Sequence, residues 1–168
     1  MKFGVLGGLI SAAWMAATTV FSDRIGFDKG AYFGYTGMLL AFLMVYFGVR
    51  NYRERACGGQ ISFWRALGVG ALMMGIICLF YVAAWEVIYY NFMPDFLDKY
   101  EAYTQARARA AGASAAALAK QAAAMAQYRE MYRNPLTNAA ITLLEPLPVG
   151  LVVTLVSAIV LRRKPKAA

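Results

Sequence analysis

The chain has no histidine, only two cysteines, and charged residues at just 15% of its positions. Without histidine it lacks the commonest zinc ligand and the side chain best matched to proton transfer at neutral pH. Cys57 stands in a polar connection and Cys78 deep in an apolar run, and no C-x-x-C pair occurs. A disulfide between them, or a thiol metal or redox site, is therefore not expected. No serine or cysteine nucleophile stands beside a base, so the usual covalent and acid–base machinery is missing. The expectation is a non-enzyme with no cofactor and no metal site.

What the chain has in excess is apolar surface. Hydrophobic residues make up 61% and the mean hydropathy is +0.49, more than one water-facing core accommodates. The surplus calls for a second apolar solvent, the lipid bilayer. A bilayer core about 30 Å thick needs about 20 apolar helical residues. Four stretches qualify, at about 4–22, 31–50, 62–90 and 138–161. The expected fold is all-α: a single integral-membrane domain over residues 1–168, a four-helix bundle with a helical hairpin between the third and fourth spans. Lys2 and the apolar run after it also resemble a signal peptide. No crisp A-x-A site precedes a polar domain, however, and further spans follow, so the first span is expected to be retained.

The net charge of +8 lies mostly beside the spans. Arg50, Arg53, Arg55 and Arg65 cluster around the second connection, and Arg162, Arg163 and Lys164 follow the last span. Basic flanks stay on the cytoplasmic side. Both termini are thus expected inside and residues 94–134 outside, in a bacterial cytoplasmic (inner) membrane. The basic residues are expected to anchor at lipid head groups rather than to bind nucleic acid.

Two helices are expected in the insert. Pro94 stands near the start of the first, Gly112 at its end, and Ser114 is placed to cap the second. Phe96, Tyr100 and Tyr103 share one stripe, and Leu118, Ala122, Met125, Tyr128 and Tyr132 another. "RNPL" then ends the excursion, because the residue before Pro135 is pushed from helical geometry. Within the spans, Gly4, Gly8, Ala12 and Ala16 form a small-residue ladder suited to close helix approach. In the third span Gly68 and Gly75, with Ala71, define a stripe that continues through Leu72, Leu79 and Val82 to Glu86 and is expected to turn inward.

The candidate site rests on two intramembrane carboxylates. Asn138, Thr142 and Glu145 share one face of the last span. Glu145 comes roughly 10 Å below the outer boundary and Glu86 roughly 8–12 Å. Acids at that depth face a polar interior or hold a proton. Pro146 and Pro148 directly follow Glu145 and are expected to break the helix, freeing carbonyls around residues 142–144 as an oxygen-rich patch. Tyr35, Tyr89, Thr18, Thr19 and Trp14 are placed to reach the same layer, with Arg24 as counter-charge.

The segments "YRERACGGQISFWRALGVG" (52–70), "AAWEVIYYNF" (83–92), "NPL" (134–136) and "EPLPVGLVVTLVSAIVLRR" (145–163) resemble the bacterial domain-of-unknown-function family 4199. The similarity extends over nearly the whole chain, and Trp85-Glu86 and Glu145 fall where that family shows comparable residues. It implies a small bacterial cytoplasmic-membrane protein with four spans and assigns no activity. The leading expectation is a structural, interaction or assembly protein. Its expected partners are the bilayer, a second copy, or another membrane or periplasmic protein. The alternative is a small oligomeric carrier of protons, cations or solutes acting through Glu86 and Glu145.

Overall fold

The computed structural model describes residues 1–163, which form seven α-helices and no strand beyond one isolated bridge. They are α1 (Lys2–Val20), α2 (Ser22–Ala56), α3 (Phe63–Asn91), α4 (Phe96–Ala110), α5 (Ala115–Arg133), α6 (Pro135–Leu143) and α7 (Pro146–Leu161). Four stretches are long and apolar enough to cross a membrane: Lys2–Val20, Arg24–Ala56, Phe63–Asn91 and Pro135–Leu161. In the last of these α6 and α7 run in series.

The connection expected over residues 22–30 is nearly absent. Helix resumes at Ser22 and is interrupted only at Gly26, whose φ of 66° and ψ of 166° suit glycine alone. At its far end α2 runs to Ala56, so Arg50, Arg53 and Arg55 sit on helical turns rather than in a loop. The true loop is short and turns at Gly58 and Gly59, both with positive φ. Ser62 then starts α3 by accepting a hydrogen bond from the Arg65 amide.

The spans pack with α1 and α7 each lying against both α2 and α3, and α2 against α3. The core between them comprises Met38, Phe42, Val45 and Val49 of α2, Met73 and Ile77 of α3, and Ala158 and Leu161 of α7. Gly4, Gly7 and Gly8 let α1 approach α3, where Met73, Ile76, Ile77 and Phe80 fill the space a side chain would take. The expected ladder thus holds at Gly4 and Gly8.

The inward stripe of α3 differs from expectation. Its buried positions are Ala66, Gly70, Met73, Ile77, Cys78, Ile88 and Tyr89. A Cβ on Gly70 would meet Thr154, Val45 and Val49, whereas Gly68 and Gly75 have nothing near them. Their stripe faces outward, with Leu72 61% and Leu79 67% exposed. Small residues permit close packing without dictating it; Val45 and Val49 of α2 and Thr154 of α7 pack on the Gly70 face instead.

Outward-facing leucine, valine and isoleucine recur along all four spans, including Leu6, Leu43, Leu79 and Ile159. So much exposed aliphatic surface at membrane-spanning length suits lipid rather than water. One end of the assembly carries the start of α1, the 57–62 loop and the end of α7, joined by the bridge between Ile61 and Arg163. The other end carries the α4–α5 hairpin.

The hairpin follows the sequence closely. Gly112 turns the chain with φ of 80° and Ser114 Oγ accepts the Ala117 amide hydrogen. Arg129 joins its helices by pairing with Asp98 and Glu101, each at 2.6 Å. The Phe96–Tyr100–Tyr103 stripe packs on Phe27 at the start of α2, with centroid distances of 5.9, 5.5 and 5.2 Å. Tyr103 also donates to the Asp28 carboxylate. Asn134 Oδ1 accepts the Leu136 and Thr137 amide hydrogens, with Pro135 filling a first-turn position whose missing N–H costs nothing.

Candidate functional site

Two stripes face each other where α3 meets α6. On α3 they are Tyr81, Trp85 and Tyr89, spaced i, i+4, i+8; on α6 and its end they are Asn138, Thr142 and Glu145. Helical spacing stacks each set on one side of its helix, so the polar tips meet in register. Tyr81 Oη donates to Glu145 Oε2 at 2.7 Å. One helical turn on, Trp85 Nε1 donates to Asn138 Oδ1 at 3.2 Å. Thr142 Oγ1 donates to the same oxygen at 3.1 Å. Asn138 is 0% exposed and its Nδ2 has no hydrogen-bond partner.

The break at Pro146 and Pro148 takes a milder form than expected. Leu144 and Glu145 keep right-handed helical backbone, and their amides donate to the Ile141 and Thr142 carbonyls at 3.1 and 3.2 Å. Tightening to i→i+3 bonds supplies the Thr142 carbonyl with the donor that Pro146 lacks. The joint therefore exposes a carboxylate but leaves the Thr142 carbonyl satisfied by the Glu145 amide. Among the described residues no three histidine, cysteine, aspartate or glutamate side chains converge.

Glu145 lies at the wall of a cleft of about 1370 Å³ in the hairpin half of the molecule. Ser11, Trp14, Thr18 and Thr19 of α1 contribute one side, and Phe27, Gly30, Tyr32 and Gly34 of α2 another. Tyr81 and Trp85 of α3 line it opposite, while Tyr100, Tyr128 and Tyr132 of the hairpin reach over it. The rings interlock: Trp85 on Phe96 at 5.2 Å, Tyr128 on Tyr132 at 5.4 Å, and Tyr89 on Tyr132 at 5.5 Å. Tyr90 Oη further ties α3 to the Tyr132 carbonyl at 2.7 Å.

The remaining candidates distribute unevenly. Trp14 lines the cleft and its Nε1 donates to the Phe33 carbonyl at 2.9 Å. Thr18 and Thr19 also line it, but their hydroxyls donate back to α1 carbonyls. Tyr89 is buried behind the lining, and Tyr35 is 51% exposed and outside it. Glu86 does not share that lining with Glu145. It is half-buried on the outward stripe of α3, its Oε1 is enclosed without a hydrogen-bond partner, and it does not line the cleft.

Arg24 does not serve as counter-charge. It is exposed, lies outside the lining, and among the described residues pairs with neither glutamate. A neutral phenol takes that place: Tyr81, which the inward stripe drawn through the glycines had passed over. The signal was nonetheless present, since Tyr81, Trp85 and Tyr89 are polar-tipped aromatics at four-residue spacing, matching the 138–142–145 pattern.

The basic residues at the opposite end also divide. Arg50, Arg55, Arg162 and Arg163 are exposed. Arg53 is no head-group anchor: only 6% exposed, it donates from Nη1 to the Leu161 carbonyl at 3.1 Å and binds Glu54 through Nε and Nη2. It thereby satisfies the end of α7, where helical carbonyls lack partners. Arg65 donates to Tyr52 Oη at 3.0 Å and lies over that ring. Lys164 lies outside the described residues.

The model of a family described as "Protein of unknown function (DUF4199)" matches residues 2–163, and the chain belongs to that family. No curated protein and no solved structure matches it.

Proposed function

We propose that this member of the DUF4199 family is a multi-pass protein of the bacterial cytoplasmic (inner) membrane that binds a small, largely apolar solute in its hairpin-side cleft. In this reading the spans form a four-helix bundle with both termini in the cytoplasm and the hairpin outside. Exposed Arg50, Arg55, Arg65, Arg162 and Arg163 at the terminal end support that direction. The observation that carries the binding role is Glu145, a carboxylate held by Tyr81 at the wall of a large aromatic-lined cleft. Concave sites with mostly apolar walls and a few convergent polar groups are where small ligands bind.

The geometry favours this over the two expectations drawn from sequence. An assembly role for the hairpin has less support, because Phe96, Tyr100 and Tyr103 pack on Phe27. A proton or cation carrier working through both glutamates has less support, because Glu145 lines the cleft and Glu86 does not. A one-site carrier is the second reading, supported by the joint between α6 and α7, where the Pro146 and Pro148 positions weaken the helix.

Gly34 supplies the test. It lines the cleft, and a Cβ there meets nothing within 4 Å, so a larger side chain starts from open space. A neutral diazirine-bearing biphenyl, photolysed with the protein in lipid nanodiscs, should label cleft residues such as Trp85 and Tyr128. The labelling should vanish in Gly34→Leu. Equal labelling of a folded Gly34→Leu protein, or labelling confined to lipid-facing leucines, would defeat the binding role. Reporters fused at Ser114 and at the C-terminal end should report opposite sides of the membrane.

A further inference from the structure

The cleft is distinguished by how its charges are matched. Lys99 pairs with Asp95 at 2.9 Å, and Arg107 with Asp28 at 3.5 Å, so the cations that line it each have a carboxylate of their own. Glu145 has no cation: its recorded partner among the described residues is the neutral Tyr81 hydroxyl. The walls around it are Trp14, Trp85, Tyr100, Tyr128 and Tyr132, each of which lines the same space. Aromatic faces carry negative electrostatic potential and attract cations, most strongly in sites shielded from water.

From this match of one carboxylate without a paired cation, Glu145, with an aromatic lining we infer that the solute is an organic monocation with an apolar body, such as a substituted ammonium ion. This deepens the binding role proposed above and depends on it. The apolar body replaces water against the rings, and the positive centre offsets Glu145. A metal ion suits the cleft poorly, because hard cations require several converging oxygens and the Thr142 carbonyl is already bonded to the Glu145 amide. An anion meets the negative faces of the rings and the carboxylate together. A neutral solute leaves the carboxylate without a counter-ion after water is displaced, which costs binding energy.

The test compares a phenylbutyl-trimethylammonium ion with its uncharged carbon isostere, in which carbon replaces the ammonium nitrogen. Binding to the full chain in neutral-lipid nanodiscs is measured by calorimetry against empty discs. The cation should bind at least about tenfold more tightly than the isostere, the discrimination expected of one charge contact worth about 1.4 kcal/mol. Glu145→Gln keeps an acceptor for Tyr81 and should shrink that preference, weakening the cation and no longer stranding a carboxylate beside the isostere. Equal affinities in the native protein, or a preference undiminished in Glu145→Gln, overturn the cation assignment while sparing the binding role. Binding of neither probe overturns both. The native comparison decides even if Glu145→Gln does not fold.

Discussion

Tyr81 donates its phenolic hydrogen to the Glu145 carboxylate across 2.7 Å, joining the middle of the third span to the joint in the last. A hydrogen bond to a charged group contributes about 1.5–3 kcal/mol in water-soluble proteins, but side-chain bonds between membrane helices average about 0.6. The cleft-facing position of Glu145 puts this one between the two. Tyr81→Phe should therefore destabilise the protein by about 1 kcal/mol, followed by denaturant unfolding in mixed micelles. It should couple to Glu145→Ala, which removes the acceptor, in a double-mutant cycle; strictly additive effects would mean the bond contributes nothing.

Asn138 poses a sharper question, because one half of its amide is used and the other is not. Oδ1 accepts from Trp85 and Thr142, while buried Nδ2 has no partner. Asn138→Leu removes the acceptor and also the cost of the unsatisfied amide. Thr142 can turn its hydroxyl to its own helix, as Thr18 and Thr19 do, but the Trp85 indole is left orphaned. A net loss of about 1 kcal/mol is expected. Adding Trp85→Phe should cost less in the Asn138→Leu background than alone. A larger cost there would show that the indole had found another acceptor.

These contacts show how far the chain could be read in advance. The number of helical stretches long and apolar enough to cross a membrane, the hairpin and its caps follow from apolar length and from Gly112, Ser114 and Pro135, which act locally. Membership of Asn138, Thr142 and Glu145 in one face also follows from period alone. The facing direction of α3 does not, because Gly68, Gly70 and Gly75 are interchangeable as close-approach residues until neighbours choose among them. Choosing Gly70 turned Tyr81 inward and left Glu86 outside the cleft. The fate of Arg53 was hidden for a similar reason: nothing near it in sequence announces the end of α7, which lies more than a hundred residues away.

The glycines provide a direct check on that choice. A Cβ on Gly7 would come within 2.7 Å of the Ala41 carbonyl oxygen, a backbone atom that cannot rotate away. Gly7→Ala should destabilise by about 1–3 kcal/mol, the usual cost of overpacking. Gly75 meets nothing, so Gly75→Ala should be neutral or stabilising by up to about 1 kcal/mol through helix propensity. Thermal unfolding of the two variants side by side measures the contrast. The reverse order would place the Gly75 face inside and invalidate the packing described.

The last prediction concerns pH and the hairpin. Burial pushes the Tyr132 phenol of α5 up to about 12, against an ordinary value of about 10. A raised value means that the folded protein holds the proton more tightly than the unfolded chain. The associated stability is fully present below about pH 10 and declines as pH rises toward 12, where the unfolded chain ionises first. Tyr132 also packs on Tyr89 and Tyr128, so its ionisation should loosen α5 from the cleft. Amide hydrogen exchange of residues 115–133 should accelerate over that interval after correction for the intrinsic rise with pH. Tyr132→Phe should lessen the dependence, because it removes the titrating group and keeps the ring. A native hairpin whose corrected exchange is flat across the interval, or a Tyr132 phenol that titrates at its ordinary value, would show that the ring is not enclosed.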